Sequence, residues 1–166
     1  MSARPNPSPW LVLATFVLAI DQGSKWLIQH DIPLGASIAL TGWFNLVHIE
    51  NPGAAFSFLA GQTGWQRWLF TALGLAASAL IVGLLTTRRR RPLFALGLAL
   101  ILGGALGNVV DRVFWGHVTD FLDVYVTLGG QPWHWPAFNL ADAAITTGAI
   151  SLLLDEWRQS GGPPLR

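Results

Sequence analysis

Asp120 and Asp142 are the residues of this chain whose type and placement could do chemistry: Asp120 lies within the segment 115–137 and Asp142 just beyond it, both near the ends of apolar stretches. Two aspartates within hydrogen-bonding distance cannot both ionise easily, so they share a proton, and one can take a proton from water while the other gives one toward a carbonyl. That chemistry hydrolyses a peptide bond without a metal or a covalent intermediate. The competing reading is that either Asp merely caps a helix, although Asn139 is itself a suitable N-cap for the segment that follows it.

Other arrangements have less in their favour. Ser24 and Lys25 are adjacent, and neighbours on a helix point about 100° apart, which is poor geometry for a serine–lysine dyad. His117 and Asp120 are three residues apart with His134 nearby, but a zinc site needs three or four convergent ligands, and there is neither a His-Glu-x-x-His helix nor a cysteine. No Gly-x-Ser-x-Gly elbow, Walker A loop or dinucleotide fingerprint occurs, which leaves esterase, nucleotide and NAD chemistry without support.

Further polar residues interrupt apolar stretches, where ionisable groups are costly and face partners or cavities. Asp21 and Lys25, four apart, share a helix face and can pair, either as a neutralised support for the outer mouth of a bundle or as a substrate contact. Asn108 and Arg112 have the same spacing, beside Asp111. A guanidinium there could hold a carbonyl or lipid phosphate, or join helices in a salt bridge. Asn139 stands one turn before Asp142.

The elements that must position these groups are membrane-spanning. Hydrophobic residues make up 52% of the chain and charged ones 11%, against about a quarter charged in soluble domains. Four apolar stretches, 10–28, 68–85, 93–114 and 138–154, are each near the roughly 20 residues that cross a bilayer as a helix. The first lacks a cleavage site and is followed by three more, so it reads as a span within one domain covering 1–166. Arg4, the arginine run 88–91, Arg158 and Arg166 fall on one side, which places both termini in the cytoplasm. The connections 29–67 and 115–137 then face the periplasm, with Arg67 as their only Lys or Arg. Most tryptophans fall near span ends, where indoles favour the membrane interface. The arginine run reads as a topology anchor, with no nucleic-acid partner.

In the first connection, alternating pieces at 37–40 and 43–49 are punctuated by Gly35, Gly42 and Asn51-Pro52-Gly53. The expected fold class is therefore an all-α membrane protein of four transmembrane helices, with a small periplasmic β-sheet cradle between helices 1 and 2. The second connection, with Gly129-Gly130 and several aromatics, reads either as a lid or as an ordered interfacial loop.

Five strings, Asp21-Gln-Gly-Ser-Lys25, Asn51-Pro-Gly-Ala-Ala-Phe-Ser57, Gly103-Gly-Ala-Leu-Gly-Asn108-Val-Val-Asp111-Arg112, Val118-Thr-Asp120-Phe-Leu-Asp123 and Phe138-Asn-Leu-Ala-Asp142, closely resemble the lipoprotein signal peptidase (signal peptidase II) family over about residues 10–155. The resemblance implies an aspartic endopeptidase of the bacterial inner membrane that removes signal peptides from prolipoproteins just before a diacylglyceryl-modified cysteine. It implies that Asp120 and Asp142 are the catalytic pair, and that Asn51, Asn108, Arg112 and Asn139 line the site and position substrate. Asp21, Lys25 and Asp111 match supporting positions. The expected working form is a monomer among membrane lipids, without metal or other cofactor, that binds prolipoproteins and globomycin-type inhibitors. The alternative, a non-enzymatic transporter or assembly factor with intramembrane carboxylates, lacks an inverted repeat or a pair of Gly/Pro-broken helices.

Overall fold

The computed structural model describes residues 6–53, 64–87 and 91–160, so Arg4, Arg88, Arg89, Arg90, Arg166 and residues 54–57 of the Asn51 motif lie outside the described residues. Four helices coincide with the four apolar stretches: α1 (Ser8–Asp31), α2 (Trp65–Thr87), α3 (Pro92–Phe114) and α4 (Leu140–Ser160). Pro9 and Pro92 sit in the first turns of α1 and α3, where a missing N–H leaves no intrahelical bond unmade. Among the described residues, three helices, α1 to α3, are long and apolar enough to cross a membrane. The 21 residues of α4 would reach about 32 Å, but this helix carries Asp142, Asp155, Glu156 and Arg158 and is less apolar.

The central helix is α3, on which α1, α2 and α4 all pack. Between lipid-facing helices there is little hydrophobic driving force, so association depends on close backbone approach at small residues. A Cβ on Gly97 would lie 2.7 Å from the Gly148 carbonyl oxygen, and one on Gly148 2.6 Å from that of Gly97, so glycine is required on both sides of the α3–α4 contact. Gly103 does the same against α1, where a Cβ would come within 2.6 Å of the Ala14 carbonyl oxygen. Away from these seams the helices turn large apolar side chains outward, among them Phe16, Leu73, Leu80, Leu153 and Trp157. Such a surface suits acyl chains.

Four strands, β1 (Ser37–Ala39), β2 (Phe44–Asn51), β3 (Val118–Leu128) and β4 (Gln131–His134), form an antiparallel sheet in the order β1-β2-β3-β4. This corrects the expectation that the sheet belongs to the connection between α1 and α2. Half of its strands come from the connection between α3 and α4, which is ordered as a hairpin. The cause is local: β3 is rich in β-branched and aromatic residues, and Gly129 and Gly130, at φ +59° and +81°, supply the two left-handed positions of a tight hairpin turn. The sheet is tied to the end of α1 by His48 Nδ1, 2.7 Å from the Ile32 carbonyl oxygen. It therefore sits at the end where α1 and α3 finish and α2 and α4 begin.

Candidate active site

A cavity of about 270 Å³ at this end is lined by Asn51, Gly53, Phe70, Asn108, Arg112, Val118, Asp120, Ala137 and Asp142. Its two carboxylates arrive on different kinds of element. Asp120 lies on β3, 3% exposed, and Asp142 lies in the first turn of α4.

Three asparagine amides point at this pair. Asn51 Nδ2 donates to Asp120 Oδ2 at 2.9 Å and Asn139 Nδ2 to Asp120 Oδ1 at 2.7 Å, while Asn108 Nδ2 donates to Asp142 Oδ1 at 2.8 Å. Each amide has its oxygen engaged elsewhere, which fixes the nitrogen toward the carboxylate. Asn51 Oδ1 accepts the Gly53 N–H at 2.9 Å, Asn139 Oδ1 the Asp142 N–H at 3.0 Å, and Asn108 Oδ1 the Lys25 ammonium at 3.1 Å. Gly53 has a φ of +101°, and a Cβ there would lie 2.9 Å from the Phe70 ring, so the turn that holds Asn51 depends on glycine twice over. Asn139 and Asp142 also form a reciprocal cap of α4, the Asn139 N–H lying 3.4 Å from Asp142 Oδ2. Asn139 and Asp142 thus cap α4 together, while Asp120 and Asp142 line the same cavity.

Burial pushes the Asp120 carboxyl up to about 6; the negative charge of Asp142 adds to the rise, while the Asn51 and Asn139 amides and the Lys25 ammonium work against it. Arg112 leans on the cavity with its guanidinium 5.2 Å from the Phe70 ring centre and Nη1 3.3 Å from the Asn108 carbonyl oxygen. Its Nε is buried without a hydrogen-bond partner among the described residues.

Behind the cavity wall lies a second, fully buried layer. Lys25 Nζ stands 2.8 Å from Asp21 Oδ2 and 2.8 Å from Asp111 Oδ2, so it joins α1 to α3. The remaining oxygen of Asp21 accepts the Ala141 N–H at 2.9 Å, satisfying a donor of the first turn of α4. The i,i+4 spacing therefore does more than pair Asp21 with Lys25: it joins α1, α3 and α4. The interhelical ion pair weighed for Arg112 is made instead by Asp111 with Lys25, while Arg112 lines the cavity.

Sequence reasoning missed two participants. Gln22 Nε2 donates to Asp111 Oδ1 at 2.7 Å and to the Gly107 carbonyl oxygen at 3.2 Å; its polarity inside a span was the available signal. Phe70 gave none, being one apolar residue among many in α2. The weighed metal ligands do not converge: His117 Nε2 lies 3.4 Å from Glu50 and His134 Nδ1 2.8 Å from Asp123, and among the described residues no group of three or more His, Cys, Asp or Glu could hold a metal ion. Ser24 donates to the Asp21 carbonyl oxygen at 2.8 Å rather than engaging Lys25.

Comparison with known proteins places this geometry in context. The family model described as signal peptidase (SPase) II matches residues 13–158. A lipoprotein signal peptidase of Burkholderia vietnamiensis (strain G4 / LMG 22486) is 55% identical over 155 residues, covering 93% of this chain and 91% of that protein. One from Burkholderia mallei (strain SAVP1) is 54% identical with the same coverage. Among solved structures, a bacterial membrane enzyme determined by the in meso method at 2.3 Å superposes with a TM-score of 0.82 at 24% identity, covering 100% of this chain and 98% of that one. A second, at 1.9 Å, gives 0.78 at 26% identity, covering 94% and 97%.

Proposed function

This chain belongs to the signal peptidase II family of aspartic peptidases, and we propose that Asp120 and Asp142 are the pair with which it activates water to cleave signal peptides from lipidated prolipoproteins. The observation that carries the reading is the convergence of both carboxylates on one cavity, with three oriented amides aimed at them. Asp142, at the positive end of α4, takes the proton from the attacking water. Asp120 delivers its proton toward the scissile carbonyl, and the Arg112 guanidinium holds a substrate carbonyl or headgroup oxygen at the rim. No step requires a metal or cofactor.

The protein is a multi-pass membrane protein, and on this reading α4 is its fourth span. Its outward residues Ile150, Leu153, Leu154 and Trp157 are apolar, and its charges lie in its end turns. With the arginine-rich side in the cytoplasm, both termini are cytoplasmic and the cavity opens at the periplasmic face of the inner membrane. A substrate whose cleavage site is held at the surface by acyl chains arrives already oriented, converting a bimolecular search into a local one. Globomycin-type inhibitors would occupy the same cavity, and a monomer contains every group named.

The test is cleavage of a purified diacylglyceryl-modified prolipoprotein in detergent by wild type, Asp120→Asn and Asp142→Asn, each with and without EDTA. Activity that survives EDTA and vanishes in both variants is expected. Cleavage at the wild-type rate by either variant, or its loss with EDTA, would refute the proposed pair.

A further inference from the structure

We propose that Asp123, with Asn45 and His134, is a positioning node that holds β2, β3 and β4 in register, and with them Asn51, Asp120 and the run from β4 into Asn139. The inference rests on the assignment of Asp120 and Asp142 above. Asp123 is 6% exposed and lies on β3 three residues beyond Asp120. Neither it nor Asn45 nor His134 lines the active-site cavity. Asn45 Nδ2, from β2, donates to Asp123 Oδ2 at 2.7 Å. His134 Nδ1, from β4, lies 2.8 Å and 3.0 Å from the two Asp123 oxygens. The β3 strand therefore carries two buried carboxylates that each join β2 to the chain following β3: Asp123 ties Asn45 on β2 to His134 on β4, and Asp120 ties Asn51 on β2 to Asn139, between β4 and α4.

Between these two ties the main chain alone does not fix the geometry. The β2–β3 register is regular from Phe44 to Leu46 and again from Ile49 to Asn51, but shifts between them. A bulged ladder admits alternative pairings unless side chains select one. Asn45 pairs directly with Asp123 on the outer side of this irregularity, so it sets where the strand that ends in Asn51 begins. On the other flank, Trp135 N–H donates to the Val124 carbonyl oxygen at 2.8 Å and Phe138 N–H to that of Leu122 at 3.1 Å. That short run leads from His134 directly into Asn139, the cap of α4, and then Asp142. His134 also stacks on Tyr125, its ring 5.0 Å away, which holds the imidazole over the strand.

The experiment compares kcat, KM and pH profile for wild type, Asp123→Asn, His134→Phe and the exchange Asn45→Asp/Asp123→Asn, with Asp120→Asn as control and thermal unfolding of each. His134→Phe retains the ring stack and loses the hydrogen bond, which keeps the test open should Asp123→Asn fail to fold. A misplacement approaching 1 Å should lower kcat about 100-fold, with KM nearly unchanged. Slackening Asn51 and Asn139 removes donors from the Asp120 carboxylate, so the high-pH limb of kcat/KM should move upward. The other groups facing Asp120, namely Asp142 from α4, Lys25 from α1 and Arg112 from α3, are the same in every node variant. The exchange preserves an amide–carboxylate bond between β2 and β3 and should recover most of kcat. An unmoved pH profile and unchanged kcat per folded enzyme in Asp123→Asn or His134→Phe, beside an inactive Asp120→Asn, would overturn the node alone. Activity in Asp120→Asn would overturn the site assignment beneath it.

Discussion

Asn139 performs two tasks with one amide, and substitutions that separate them test whether the Asp120 environment is what the geometry indicates. Its oxygen caps α4 and its nitrogen donates to Asp120 at 2.7 Å. Asn139→Ser retains a good cap but cannot reach Asp120, whereas Asn139→Ala loses both functions. Loss of the cap costs about 1 kcal/mol and loss of a hydrogen bond to a charged group about 1.5–3 kcal/mol. The alanine variant should therefore be less stable than wild type by about 2.5–4 kcal/mol and the serine variant by about 1.5–3 kcal/mol. Their kinetics should nevertheless agree. Removing the donor disfavours ionised Asp120, and at about 1.4 kcal/mol per pH unit its titration should move up by roughly one to two pH units. Asp120 starts near 6, so its proton, and with it kcat/KM, is lost in the wild type as pH rises through that value. In both variants that limb should appear at higher pH. Single-turnover cleavage between pH 5 and 9, with thermal unfolding in the same detergent, would read both quantities. A serine variant with an unchanged high-pH limb would refute the claim that Asn139 tunes Asp120, whatever its stability.

Two further outcomes follow from the buried layer and the helix seam. Lys25→Met leaves Asp21 and Asp111 buried without their shared cation and should destabilise the fold by about 3–5 kcal/mol, while also releasing the Asn108 amide that faces Asp142; thermal unfolding and prolipoprotein cleavage should both fall, and a stable, fully active variant would contradict the role given to the ion network. Gly148→Ala places a methyl group 2.6 Å from the Gly97 carbonyl oxygen and should force α4 off α3, lowering stability by about 1–3 kcal/mol, whereas Gly83→Ala, where nothing lies within 4 Å, should be neutral or stabilising; equal unfolding temperatures for the two would argue against the glycine seam.

The helices were legible because each is written in consecutive residues whose apolar length is a local signal. The sheet was legible only in half. Residues 37–49 alternate visibly between turn signals, but β3 runs Val-Thr-Asp-Phe-Leu-Asp-Val-Tyr with carboxylates at two core positions, a pattern that reads as polar loop until Asn51, Asn139, Asn45 and His134 are in place to receive them. The same limit applies around the cavity. Polar residues inside spans announce themselves because their burial is costly, and that is why Asp21, Lys25, Asn108, Asp111 and Arg112 were visible. Phe70 was not, since its contribution is a place in the cavity wall rather than a chemical type.

A chain of selection runs through the amides and explains why so many supporting residues surround two carboxylates. An asparagine can present either end to its neighbour, and only the nitrogen stabilises an ionised carboxylate. Gly53 N–H selects that end for Asn51, Asp142 N–H selects it for Asn139, and the Lys25 ammonium selects it for Asn108. Lys25 is in turn fixed by Asp21 and Asp111, and Asp21 by the first turn of α4, the helix that carries Asp142. The loop of constraints closes on itself: the helix presenting one carboxylate anchors the aspartate that orients the lysine, which orients the amide facing that carboxylate. Donors held in this way need no reorganisation when charge moves between water and the pair, the condition under which fixed dipoles lower a barrier most. On the proposed assignment of the pair, the buried layer, which lies outside the cavity lining, contributes to the chemistry by removing the wrong rotamers in advance.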